Sequence, residues 1–232
     1  MNFLKKPVPV LMYHRVNQPD PQSSLIVSPL DFGKQIGWLE SNRFNFLSLD
    51  QIVDCRGVCS VGEPVVAITF DDGFRDNYEN AFSLLSQRRR PAALFVIVDW
   101  VGRKDFLTWP EIRELADYGV TIGSHSLSHR WLPDIQNDRE LEAEITESKK
   151  RIEDAIGREV RHFSYPVGGT DNRVKEFVKK AGYRSAWIAG GKVRNLTGDP
   201  LFSLRRTKVG CSDGNLFRFS FKAWGIKGYF NR

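Results

Sequence analysis

Short runs rich in Val, Ile, Phe and Ala, at residues 8–13, 45–49, 65–70, 93–98, 120–124, 162–165 and 185–189, alternate with longer segments whose apolar residues recur at helical spacing. Helices are expected at 30–40, 77–87, 109–117, 138–156 and 172–181. Repeated strand–helix units of this kind favour a parallel sheet, either open or closed into a barrel, and such sheets gather functional residues at the carboxyl edge of their strands. The 138–156 segment carries the pattern most clearly. Leu141, Ile145, Ile152 and Ile156 recur on one face while Glu and Lys fill the other, Asn137 or Asp138 can cap the start, and Gly157 can take the left-handed conformation that ends a helix.

With 41% hydrophobic residues, 16 Phe and 6 Trp in 232 residues, there is apolar material for one sizeable core. No run approaches the ~20 apolar residues that cross a bilayer. The N-terminal PVPVLMY is short, holds two prolines and precedes no small-residue cleavage site, so a cytoplasmic location is expected. Cys55, Cys59 and Cys211 suit a reducing compartment; Cys55 and Cys59 are four apart but lack a second pair that would complete a structural zinc site.

The run VVAITFDDG ends an apolar strand in Asp71, Asp72 and Gly73. Adjacent carboxylates at a sheet edge repel, and they stay ionised only beside a cation or by sharing a proton; Asp-Asp-Gly is also good turn chemistry. The run VTIGSHSLSH ends a second strand in His125 and His129, two of only four histidines, at a spacing that puts both imidazoles on one side of a helical turn. Taken with the acids, these residues offer two nitrogens and at least one oxygen, a donor set suited to catalytic zinc with positions left open for water.

Together TFDDG (69–73) and HSLSH (125–129) resemble the signature of the NodB-type polysaccharide deacetylases, carbohydrate esterase family 4, and the resemblance extends over roughly residues 7–209. It implies an α/β fold of the distorted (β/α)7-barrel type in a single domain, spanning 1–210 here, with 211–232 as a basic aromatic tail. It also implies metal-dependent hydrolysis of the N-acetyl group of an amino sugar in a poly- or oligosaccharide. Asp71 is then the general base and Asp72, His125 and His129 the ligands of Zn2+, for which Co2+ or Ni2+ can substitute.

Two departures from the family pattern matter. The usual R-x-P-[YW]-G turn reads Ser164–Tyr165–Pro166–Val167–Gly168, so the arginine that contacts the base is missing, and Asp71 is expected to be less acidic than in relatives. Arg161 is the nearest substitute in sequence. The Val167 backbone N–H can still serve an oxyanion, since that role needs no side chain. The late L-x-x-H strand is also absent. His14, ending an apolar strand near the N-terminus, is expected to be the general acid, held protonated, in a circularly permuted arrangement similar to poly-N-acetylglucosamine deacetylases; His162 is the other candidate. Tyr165, Pro166 and Trp187 are expected to contact substrate, with Trp109 and Trp131 as further stacking candidates.

The net charge of +6 is concentrated after Leu204, where Arg205, Arg206, Lys208, Arg218, Lys222, Lys227 and Arg232 interleave with Phe217, Phe219, Phe221, Trp224, Tyr229 and Phe230. Nucleic acid is an unsuitable partner because no stacking platform or groove-reading motif accompanies the charge. Segment 215–232 has two readings: peripheral contact with an anionic membrane, with rings among acyl chains and cations on headgroups, or aromatics that close the open end of the barrel with the charges as a solvated face. Two alternatives follow: a deacetylase or deformylase of a lipid-linked sugar at the cytoplasmic membrane face, and an inactive carbohydrate-binding homologue that has lost the arginine.

Overall fold

A computed structural model describes residues 8–20, 23–55, 63–190 and 200–225. Seven parallel strands close on themselves: β1 (Val10–Tyr13), β5 (Val65–Phe70), β6 (Ala93–Val96), β7 (Thr121–Ser124), β8 (His162–Ser164), β9 (Ser185–Ala189) and β10 (Leu204–Lys208). β1 completes the ring, pairing with β10 on one side and β5 on the other. A two-residue β4 (Asn45–Phe46) adds to β5, and β2 (Arg15–Val16) pairs with β3 (Ile26–Val27) outside the barrel.

The helices α1 (Pro29–Ser41), α2 (Leu49–Cys55), α3 (Ser83–Gln87), α4 (Trp109–Asp117), α5 (Asp138–Ile156), α6 (Asn172–Lys180) and α7 (Leu216–Ala223) connect or flank these strands. Local sequence explains their ends. Ser28 caps α1 through Asp31 N, Thr108 and Glu111 form a capping box on α4, and Asn137 accepts from Arg139 and Glu140 at the start of α5. Gly157 ends α5 at φ 67°, as its position in the sequence implied.

Strand alternation sorts the apolar residues into two cores. Val10, Val65, Ala67, Ala93, Phe95, Trp187 and Leu204 fill the barrel interior. Leu11, Tyr13, Val66, Ile68, Phe70, Leu94, Phe163 and Tyr165 face the helices. Gly123 lies on the interior parity against the Phe95 ring; a Cβ there would come within 2.5 Å of that ring, so only glycine lets the aromatic fill the floor of the barrel.

Several boundaries differ from expectation. The 45–49 run pairs only at Asn45–Phe46, because Leu49 already begins α2. The helix expected over 77–87 opens as a π-helical turn, Asn77–Phe82, before α3. β10, with the polar sequence LRRTK, was not foreseen, since an apolar-run criterion passes over a strand that carries an arginine, Arg206, inward.

The tail contains α7, whose Phe219 and Ala223 are buried in the helix-facing core. Lys222, expected toward lipid headgroups, is instead buried, pairing with Asp213 and donating to the Lys208 carbonyl at 2.7 Å. Phe217, at 72% exposure, and Arg218 do face solvent. Cys59, Lys227, Gly228, Tyr229 and Phe230 lie outside the described residues. No described helix is long and apolar enough to cross a membrane.

Candidate active site

The barrel register delivers the chemistry to one edge. Tyr13 of β1 lies opposite Phe70 of β5, and Asp71 N donates to Tyr13 O at 3.0 Å, so His14 and Asp71 leave neighbouring strands at the same height. Ser124 of β7 is paired with Val96 of β6 and Phe163 of β8, which brings His125 and Ser164 to that level. Asp71 shares the interior parity of Val65 and Ala67, and Arg206 that of Leu204.

The ligand atoms of Asp72, His125 and His129 lie within 4.8 Å of one another. Asp72 Oδ1 is 3.5 Å from His125 Nε2 and 3.6 Å from His129 Nε2. The segment between the histidines is an irregular loop and not the helical turn expected: Ser126 and His129 take φ of 67° and 66°, and Ser126 Oγ accepts from His129 N. Asp72 (φ 75°) and Val167 (φ 55°) are also left-handed, each at a typical cost of roughly 1–3 kcal/mol that the surrounding structure must offset.

Glu144 of α5, assigned by periodicity to a solvent face, is buried and holds this loop by accepting from Leu127 N, Ser128 N and Ser128 Oγ. His125 Nδ1 lies 2.8 Å from Ser164 O; donation to that carbonyl leaves Nε2 with its lone pair toward Asp72.

The donor set fits a divalent cation. Two imidazole nitrogens and one carboxylate oxygen converge, and Asp72 Oδ1 is buried with no hydrogen-bond partner among the described residues. Electrostatics point the same way. Burial, reinforced by the Asp71 charge, pushes the Asp72 carboxyl up to about 7, while burial lowers His125 to about 4 and also lowers His129. Both imidazoles are thus neutral near pH 7, and Asp72 is the group of the three whose proton a bound metal would have to displace. Metal affinity is therefore expected to weaken roughly tenfold per pH unit below about pH 7. Titration calorimetry with Zn2+ or Co2+ between about pH 5 and 8 checks this. A flat affinity across that window would remove Asp72 from the ligand set.

The missing arginine is present after all, from an unforeseen strand. Arg206 of β10 is fully buried and grips Asp71 with both arms, Nη1 to Oδ1 at 2.6 Å and Nη2 to Oδ2 at 2.7 Å. Nη2 also donates to Ser164 Oγ at 2.6 Å, and Ser164 Oγ lies 3.3 Å from Asp71 Oδ2. A smaller Ser164 thus accepts the guanidinium that the family motif would carry at its own position. The guanidinium stands 4.9 Å from the centre of the Phe95 ring.

Burial pushes the Asp71 carboxyl up, but Arg206 and His125 together outweigh it and hold Asp71 well below the usual carboxylate range. The expectation of a less acidic Asp71 is corrected accordingly. Arg161 pairs with Asp50 and Glu159 and takes no part.

His14 reaches this edge, whereas His162 is buried at the start of β8, with Nδ1 at 2.8 Å from Ser185 Oγ and Nε2 at 3.4 Å from Asp50. Burial, opposed by Asp71 and aided by Arg206 and Lys208, lowers His14 to about 4. The resting imidazole is therefore neutral near pH 7, not held protonated as expected.

Val167 sits on an exposed turn at 67% exposure. Trp187, expected on the substrate, is sealed in the barrel interior because its parity points inward below the site. Tyr165 has the opposite parity and is buried under the helices, its hydroxyl donating to Phe202 O, and the Pro166 ring is buried as well. The aromatic rings at the rim are others. Trp100 lies 5.3 Å from the His129 ring and continues through Phe106 to Phe74, on which the Arg15 guanidinium rests at 4.7 Å. Trp131, 44% exposed, packs beside Gly169. Sequence reading passed over Trp100, whose only signal was its place just after a strand end. Trp109 opens α4 and packs against the core.

Comparisons with known proteins agree with this arrangement. The family model for polysaccharide deacetylase matches residues 60–186. YxkH of Bacillus subtilis, whose name places it among the polysaccharide deacetylases, is 31% identical over 182 residues, covering 76% of this chain and 62% of its own length. The chain thus spans less than two thirds of that relative. The poly-beta-1,6-N-acetyl-D-glucosamine N-deacetylase of Staphylococcus aureus is 26% identical over 200 residues, covering 75% of this chain and 69% of its own. Among solved structures, BC0361, a polysaccharide deacetylase from Bacillus cereus, superposes with a TM-score of 0.81 at 29% identity over 94% of this chain and 69% of that one. IcaB from Ammonifex degensii superposes with a TM-score of 0.81 at 25% identity over 95% and 97%. With the barrel, the Asp-Asp strand end and the paired histidines in place, the match over more than half its length means that the chain belongs to the polysaccharide deacetylase family.

Proposed function

We propose that the chain hydrolyses the N-acetyl group of an amino sugar in a poly- or oligosaccharide, releasing acetate, with a divalent metal, zinc by preference, held by Asp72, His125 and His129. The observation that carries this reading is the juxtaposition of that ligand set with an ionised, Arg206-bound Asp71. A bound divalent cation supplies Lewis acidity, polarising the acetamide carbonyl and making water more acidic. Asp71 accepts the proton of the attacking water. The Val167 N–H donates to the oxygen that becomes negative as the carbonyl carbon turns tetrahedral. His14, neutral at rest, takes up the proton that Asp71 removed from water and delivers it to the departing nitrogen, since an amide nitrogen does not leave as an anion. Trp100 and Trp131 are the rings supported as sugar contacts, because they are at the rim and Trp187 is not. The inactive-homologue alternative loses its main support, since Arg206 donates to both oxygens of Asp71.

Acetate release from N-acetylated glucosamine oligosaccharides by metal-loaded protein is the test; no release from any chain length, with metal bound, would overturn the reading. His14→Ala is expected to lower kcat about 10²–10⁴-fold with metal content unchanged. An equal loss in His162→Ala, with none in His14→Ala, would reverse that assignment. A cytoplasmic location is the accompanying proposal, with peripheral contact to anionic membrane for which exposed Phe217 and Arg218 on α7 speak. Salt-sensitive co-sedimentation with anionic but not neutral vesicles is expected; failure to bind anionic vesicles at low salt leaves α7 a structural helix.

A further inference from the structure

The imidazole of His14 receives little direct support. β1 ends at Tyr13, and His14 Nδ1 is buried with no hydrogen-bond partner among the described residues. The residues on either side of it are held instead. Before it, Tyr13 O accepts from Asp71 N at 3.0 Å. After it, the buried Asp76 carboxylate collects three donors from the next three residues: Arg15 Nε at 2.6 Å and Asn17 Nδ2 at 3.2 Å on Oδ2, and Val16 N at 3.1 Å on Oδ1. Asn80, four residues on and within the π-helical turn, donates from Nδ2 to Val16 O at 2.8 Å.

Asp76 and Asn80 belong to the segment that follows Asp71–Asp72–Gly73 without a break. The loop that carries the base is therefore clamped to the loop that carries His14, and the clamp closes on both sides of the imidazole. A π-turn at this point is consistent with a functional constraint, since π-bulges concentrate at such sites.

We infer that Asp76, with Asn80 as the second jaw, is a positioning residue for the reaction: it holds the 15–17 backbone so that His14 stands at a fixed distance from Asp71 and the scissile amide. This rests on the role given to His14 above. Misplacing a reacting group by about 1 Å can cost roughly 10²-fold in rate, and no side-chain bond from the described residues would hold the ring once the backbone clamp opened.

The test is a double-mutant cycle on the metal-loaded full chain, read by acetate release. Asp76→Ala is expected to lower kcat about 10–100-fold, with KM and metal content unchanged, and Asn80→Ala to lower it less. In a His14→Ala background the same substitutions are expected to change kcat by less than about twofold, because nothing remains to be positioned. Unchanged kcat in Asp76→Ala, or an equal loss in both backgrounds, overturns the inference; the second result would mean general damage to the site. Should Asp76→Ala fail to fold, Asp76→Asn and Asn80→Ala carry the same cycle. If His14→Ala alone leaves kcat intact, it is the assignment of His14 that fails.

Discussion

Arg206→Met is expected to lower kcat about 10²–10⁴-fold while leaving the metal in place, and to destabilise the fold by about 3–5 kcal/mol at neutral pH. Both effects have one cause. Asp71 is buried with Arg206 on both of its oxygens, and removing the guanidinium leaves an uncompensated carboxylate in a nearly dry site. The pH dependence separates this from simple loss of packing. In the native chain the folded pKa of Asp71 lies below its unfolded value of 3.8, so the pair contributes its full stability above about pH 4 and loses it only as pH falls through the depressed folded value. In the variant, burial acts on Asp71 without the guanidinium to oppose it, and the folded pKa rises above the unfolded one. The variant then gains stability as pH falls, and the gap to the native chain narrows toward acid. Urea unfolding of the metal-free proteins at about pH 7 and about pH 5 reads this out. A gap that is absent at neutral pH, or constant between the two conditions, would mean that Arg206 does not compensate Asp71.

Asp72→Asn is expected to abolish metal retention and acetate release together, and to make the metal-free protein more stable above about pH 7. The opposite signs follow from the same burial. Burial, with Asp71 alongside, raises the Asp72 carboxyl to about 7. A folded pKa above the unfolded 3.8 means that stability is greatest at low pH and declines as pH rises from about 4 to about 7, where the folded chain must hold a buried, unpaired charge. An amide of the same shape carries no such charge, but it is a poor ligand for zinc beside two neutral imidazoles. Elemental analysis and thermal unfolding of chelated protein give the two readings. Metal content equal to that of the native chain in Asp72→Asn and in His129→Ala would remove both residues from the ligand set.

The residues legible from sequence are those whose geometry is set within a few positions of chain. Asp71 and Asp72 follow an apolar strand directly, His125 and His129 lie within one short loop, and α5 announces itself through its period, its Asn137 cap and Gly157. Strand alternation and helix periodicity are local rules, so the sequence by itself determined the parallel α/β class and the edge at which the aspartates and histidines gather. Arg206 was not legible because it stands 135 residues from Asp71 and meets it only when β1 closes the ring between β10 and β5. The same closure decided the fate of two aromatics. An open sheet would leave either face of β9 available, but a sealed barrel buries Trp187 inside it and Tyr165, of opposite parity on β8's extension, beneath the helices. Which side of a strand faces a closed interior is a property of the ring and not of the run of residues, so the arginine that pairs with Asp71 and the aromatic rings left at the rim were decided by tertiary structure alone.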